Sequence, residues 1–212
     1  TNSDFGLPND KVQSVFTDSR SKIWIGTKNG LFNQGNKLGD IISEKKNKHL
    51  YNDIRSINED IDGNIHIVMG SGVKIINNYT SKIYELNDAD IYFKGYCSYM
   101  DSEIELYGGV NGIGIIEGDF IKIINDSLQM PETPVLDIER DHQGVFWFAT
   151  DEGLISYDGT STTLYNENHG IPSIKMRCII KDKANNLWIG SSEGIYIYSK
   201  GKFTHLSEKD GL

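Results

Sequence analysis

The sequence predicts an all-β fold, a β-propeller of five four-stranded antiparallel blades. One motif recurs at propeller spacing, the chain between its copies reads as short strands, and turn residues punctuate those strands.

The motif is an apolar strand, a small residue, a polar pair, then glycine and an aliphatic residue. It is clearest in Ile23-Trp24-Ile25-Gly26-Thr27-Lys28-Asn29-Gly30-Leu31, and returns over Phe146 to Leu154 and Leu187 to Ile195. All three tryptophans, Trp24, Trp147 and Trp188, occupy one position in it. Weaker copies run from Ile65 to Val73 and from Leu106 to Ile113. Anchors at 24, 66, 106, 147 and 188 lie 40 to 42 residues apart, within the roughly 40 to 45 residues of a propeller blade.

The intervening segments exclude helical repeats of similar length. Each copy opens with a short apolar strand ending in aspartate, as in Val12 to Asp18, Ile54 to Asp60, Val135 to Asp141 and Met176 to Asp182. A polar turn such as Asp62-Gly63-Asn64 or Gln143-Gly144 leads to the tryptophan strand. A third strand follows the motif glycine, which is expected to need a positive φ or a close backbone approach. A turn such as Asp158-Gly159 then leads to the fourth. The approximate blades are residues 5–50, 51–92, 93–131, 132–171 and 172–212 of a single domain, either a five-bladed ring or part of a longer array. The tryptophans are expected to pack between neighbouring blades rather than to stack on a sugar.

Composition excludes several functions. With 21 Lys+Arg against 30 Asp+Glu in 212 residues, the formal charge of −9 repels nucleic-acid phosphates and anionic membranes, so neither is an expected partner. Apolar runs are only a few residues long, against the roughly 20 of a membrane helix. The chain opens at Thr1 without an initiator methionine or a signal core, so a trimmed start is expected. Cys97 and Cys178 form no CxxC pair, and no His/Cys cluster has metal-ligand spacing. They fall two blades apart in the repeat, so both are expected to be unpaired, buried thiols.

No catalytic constellation, cofactor motif or metal motif is present. The five histidines, His49, His66, His142, His169 and His205, scatter over different repeat positions and read as satisfied or exposed side chains. Acidic pairs such as Glu59-Asp60 and Asp151-Glu152 recur where turns are expected.

Aligning the first strands by their final aspartate gives a candidate binding surface. Gln13, Arg55, Tyr96, Leu136 and Arg177 stand five residues before it; Lys11, Asp53, Lys94, Pro134 and Lys175 stand seven before. Equivalent positions in a propeller form a ring, so Lys11, Arg55, Lys94, Lys175 and Arg177 would make a cationic mouth. The candidate ligand contacts are Lys11, Arg55, Tyr96, Lys175 and Arg177.

The run Gly6-Leu7-Pro8-Asn9-Asp10-Lys11-Val12-Gln13-Ser14-Val15, with Asp18, Ile23 to Thr27 and Asn29-Gly30-Leu31, resembles the two-component regulator propeller repeat, and the resemblance returns from Gly170-Ile171-Pro172 to Ile195. It implies a periplasmic sensing region of a bacterial hybrid two-component protein, with an oligosaccharide as candidate ligand, no cofactor, and neighbouring propeller or signalling domains as partners. A homodimer is compatible with it. The family usually carries seven blades, against five repeats here. Two rival readings stay open: a carbohydrate-active propeller enzyme, glycosidase or lyase, and a protein-binding scaffold.

Overall fold

The computed structural model describes residues 11–33, 53–77, 81–86, 93–172 and 174–212. Each repeat folds into an antiparallel meander. The first blade contains β1 (Val12–Thr17), β2 (Ile23–Thr27) and β3 (Gly30–Asn33); its expected fourth strand lies outside the described residues. The second is β4 (Ile54–Glu59), β5 (Ile65–Met69), β6 (Gly72–Ile76) and β7 (Ser81–Leu86), and the third is β8 (Gly95–Met100), β9 (Glu105–Gly109), β10 (Gly112–Glu117) and β11 (Phe120–Ile123). After the short helix α1 (Asn125–Leu128) come the fourth blade, β12 (Val135–Arg140), β13 (Phe146–Thr150), β14 (Gly153–Tyr157) and β15 (Thr162–Tyr165), and the fifth, β16 (Met176–Lys181), β17 (Leu187–Ser191), β18 (Gly194–Ser199) and β19 (Lys202–Leu206). The chain divides into two compact units, residues 1–109 with 114–122, and residues 110–113 with 123–212.

The aspartate that ends each first strand organises the turn after it. In the first blade, Asp18 Oδ1 accepts the Arg20 and Lys22 amides at 3.0 and 2.8 Å, and Oδ2 accepts the Trp24 indole N–H at 2.9 Å. Asp141 does the same for Gln143, Val145 and Trp147, and Asp182 for Ala184, Asn186 and Trp188. Burying an indole strands its N–H unless an acceptor meets it, and the turn aspartate is that acceptor. Burial raises the Asp18 pKa, but these hydrogen bonds outweigh it and hold the carboxyl below its ordinary range.

The motif glycines Gly30, Gly72, Gly112, Gly153 and Gly194 all have φ between 105° and 156°, as the sequence predicts. At Gly194 a Cβ would also clash with the Leu206 carbonyl oxygen.

Within the first unit, Trp24 packs with Ile54, Ile57, Ile65, Ile67 and Met69 of the second blade. Within the second, Trp147 packs with Met176, Ile179, Leu187, Ile189 and Tyr196 of the fifth. Trp24 and Trp147 are therefore fillers between blades. Trp188 is only half-buried, because it stands beside Ile180, its partner across β16 and β17, on a face where Ile180 is 65% exposed. Neither cysteine is in a disulfide. Cys97 is buried, whereas Cys178 is exposed, contrary to expectation, on the loosely covered first strand of the last blade.

Replacing Trp147 with Ala should cost about 3 to 5 kcal/mol in a denaturant titration, as expected for a core aromatic. A thiol reagent should modify Cys178 in the folded protein and reach Cys97 only after unfolding, which mass spectrometry of the alkylated chain will show.

Candidate functional site

The candidate binding residues share one backbone feature. In every blade the pairing of the first strand with the second slips by one residue, between Val12 and Ser14, Ile54 and Ser56, Gly95 and Cys97, Val135 and Asp137, and Met176 and Cys178. The extra residues are Gln13, Arg55, Tyr96, Leu136 and Arg177. A bulge leaves one residue outside the ladder and re-aims its side chain.

In the first unit these residues are linked. Gln13 Nε2 donates to Asp53 Oδ1 at 2.7 Å, and Arg55 Nε and Nη2 donate to Asp53 Oδ2 at 3.0 and 2.7 Å. The Arg55 guanidinium lies 5.0 Å from the Tyr96 ring centroid, and Lys94 Nζ lies 6.0 Å from it. Asp53 thus fixes Arg55 against an aromatic face, leaving 26% of its side chain exposed. Lys11 is exposed, and its carbonyl accepts the Lys28 amide at 3.0 Å.

In the second unit, Lys175 forms an ion pair with Asp151. Arg177 is exposed at its bulge, while the fourth blade carries Leu136 and Pro134 at the two ring positions. Carboxylates thus offset Arg55 and Lys175. A cavity of about 380 Å³ in the first unit, between Trp24, Ile65 and Ile76, lies at the turn end of the strands, away from the bulges.

The first strands also carry a carboxylate that sequence reasoning missed. Asp137 Oδ2 accepts the Ile179 amide at 2.8 Å and Oδ1 accepts its neighbour Ile138 at 3.0 Å, while Glu139 accepts the Lys181 amide at 3.2 Å. Two side chains of β12 therefore hold backbone N–H groups of β16. Burial pushes the Asp137 pKa up to about 6, helped by the neighbouring Glu139 charge and opposed by the two amides. The available signal was an aspartate at a repeat position otherwise held by Ser14, Ser56, Cys97 and Cys178.

A second missed group lies between the second and third blades, where His66 replaces the motif tryptophan. Its Nε2 lies 3.0 Å from Asp60 Oδ2, and its Nδ1 lies 2.7 Å from Tyr107 Oη, which is itself 3.1 Å from Glu105 Oε2. Among the described residues, Asp60, His66 and Glu105 are the one cluster with metal-ligand chemistry. Spacing concealed it because its members come from different blades.

Residues 6–29 and 170–193 match the family model described as two component regulator propeller. No curated protein matches the chain. The fold is similar to a B. thetaiotaomicron structure described as the extracellular domain of hybrid two component system BT3049, at 25% identity and a TM-score of 0.77, over 97% of this chain and 30% of that one. A second from the same organism, described as the extracellular domain of one component system BT4673, is 16% identical with a TM-score of 0.74, over 96% and 32% of the two chains. The chain thus spans about a third of the length of these structures. Virginiamycin B lyase from Staphylococcus aureus, 18% identical with a TM-score of 0.69 over 95% of this chain and 72% of its own, shares the fold.

A folded pKa above the unfolded value means that Asp137 contributes stability fully present below about pH 4, which is lost as pH rises through about 6. Asp137→Asn should remove that decline. The difference between wild-type and variant unfolding free energies should change with pH across this window by at most about 1.4 kcal/mol per unit, and should be flat above it.

Proposed function

We propose that this chain, built on two-component regulator propeller repeats, is the ligand-recognition part of an extracytoplasmic, periplasmic sensor in a bacterial signalling protein. Its ligand is an anionic oligosaccharide; the candidate contacts are Lys11, Arg55 and Tyr96 of the first unit, and Lys175 and Arg177 of the second offer the same chemistry at equivalent repeat positions. The sensor reading is supported by the two repeat matches and by likeness to extracellular domains of signalling systems along nearly the whole chain.

The site reading rests on one observation: a bulge at the same position of every first strand presents Gln13, Arg55, Tyr96 and Arg177. Arg55 is held against Tyr96 by Asp53, so little side-chain entropy remains to be lost when a ligand binds. A guanidinium grips a carboxylate or sulfate with two parallel hydrogen bonds, which an ammonium cannot do. Uronic or sulfated sugars therefore suit these positions better than neutral ones. The overall charge of −9 opposes such a ligand, so affinity must come from local contacts.

Signalling requires only that the ligand bind one arrangement of the surrounding domains more tightly than another. The output is carried by neighbouring signalling domains, and the propeller itself performs no catalysis.

The test is a calorimetric screen of uronate-containing, sulfated and neutral oligosaccharides, repeated on a variant carrying both Arg55→Ala and Arg177→Ala. An anionic hit should weaken as salt rises and be lost in the double variant, while the melting temperature stays nearly unchanged. Normal binding by the double variant would remove the bulge residues from the site.

A further inference from the structure

The described blade seams differ in chemistry. The first-to-second and fourth-to-fifth seams are filled by hydrocarbon around Trp24 and Trp147. Between the second and third blades, three residues depart from their repeat positions together. His66 stands where other blades carry Trp24, Trp147 and Trp188. Glu105 stands where they carry Ile23, Ile65, Phe146 and Leu187, and Tyr107 where they carry Ile25, Ile67, Phe148 and Ile189. The three departures meet at one point, beside the turn aspartate Asp60.

We propose that this cluster binds a divalent transition-metal ion of the zinc type, with His66 Nδ1 and the Glu105 carboxylate as ligands and Tyr107 Oη as a neutral third oxygen. The reading is independent of the sensor assignment and concerns a different part of the molecule from the bulged residues.

Asp60 prepares the imidazole. Its carboxylate accepts the Asp62 and Asn64 amides and the Asn64 side chain, at 2.9, 2.8 and 2.7 Å, so it is anchored as an acceptor toward His66 Nε2. A carboxylate on one ring nitrogen places the proton there and leaves the other lone pair for a metal, the usual outer partner of a ligating histidine. The other lone pair is that of Nδ1, which accepts the Tyr107 O–H at 2.7 Å and lies 4.0 Å from Glu105 Oε2, so an ion binds only as that hydroxyl turns its proton away.

The geometry accepts an ion. With Nδ1, Oη and Oε2 separated by 2.7, 3.1 and 4.0 Å, a point roughly 2 Å from all three lies almost between Nδ1 and Oε2, so a tetrahedral zinc ion requires the partly exposed Glu105 carboxylate to swing toward it. The Tyr107 hydroxyl lies within hydrogen-bond reach of both other donors, so it supplies the third oxygen from between them. Water fills the remaining positions. His66 is 1% exposed, whereas 39% of the Glu105 side chain is exposed, so an ion enters along Glu105. The Asp60 and Glu105 carboxylates balance a dication. An imidazole in the donor set favours zinc, cobalt or nickel over magnesium or calcium.

The experiment titrates the whole chain, first freed of metal with EDTA, with zinc chloride, following heat and melting temperature. One zinc ion per chain is expected, with a higher melting temperature that EDTA reverses. A double variant, His66→Trp with Tyr107→Ile, installs the pair found across the first seam as Trp24 and Ile67, and should fold without responding to zinc. Glu105→Gln leaves the buried side chains in place and should weaken zinc binding by about tenfold or more. Absence of zinc binding by the wild type would overturn the proposal. So would an undiminished response in Glu105→Gln, or in the double variant, either of which would place any bound zinc elsewhere.

Discussion

Each blade depends on a carboxylate that is satisfied from two sides at once. One oxygen of the turn aspartate collects two backbone amides and so fixes the first turn. The other collects a ring or hydroxyl donor and so fixes which way that side chain leans. Register, turn and seam are therefore set by one group. Its importance shows where the usual donor is missing. In the second blade His66 presents Nε2 to Asp60 in place of an indole, and in the third, where Leu106 offers no donor, the Tyr99 hydroxyl reaches Asp101 at 3.1 Å. The aspartate persists while its partner changes, as expected when an unpaired, partly buried acceptor costs more than any particular donor contributes.

The same arrangement separates apolar from polar seams. Around Trp24 and Trp147 the aspartate meets the only polar atom of a large ring, and hydrocarbon fills the rest. Between the second and third blades the pattern gives way to hydrogen bonds: Asn58 donates to the Ser98 carbonyl and hydroxyl at 2.9 Å, and Ser56 meets Ser98 at 3.2 Å, beside the histidine cluster. Such hydrogen bonds add directionality to a seam that also buries Val68, Phe93 and Tyr107. It specifies one alignment of two blades rather than merely holding them together.

The repeat, its strand count, the positive-φ glycines and the seam roles of Trp24 and Trp147 were legible in the sequence, because each is a local pattern that recurs. Features arising from pairing between segments were not. The bulge at Arg55 and Tyr96 is a slip between two strands, and no single strand announces it. The partnership of Arg55 with Asp53 joins two ring positions that the sequence shows only as separate columns. Asp137 and Glu105 were visible as polar residues in otherwise small or apolar columns, a signal that gains meaning only once the columns are known to face a neighbouring blade. Cys178 was misplaced for a related reason: its repeat column does not show that β16 leaves Arg177, Cys178 and Ile180 exposed.

The outer strands of the second and third blades add a different kind of connection. β7 and β11 pair in parallel through Phe120 with Glu85 and Ile121 with Leu86, so eight strands form one continuous hydrogen-bonded sheet. In a repeat array each unit ordinarily leans on its neighbours through side chains alone, and stability passes along the chain one interface at a time. Backbone bonds between these two blades reduce that independence: opening the rim at Phe120 and Ile121 also frees backbone groups at Glu85 and Leu86. The two rims are therefore coupled where they pair, and there two otherwise vulnerable sheet edges are closed against pairing with a stray chain.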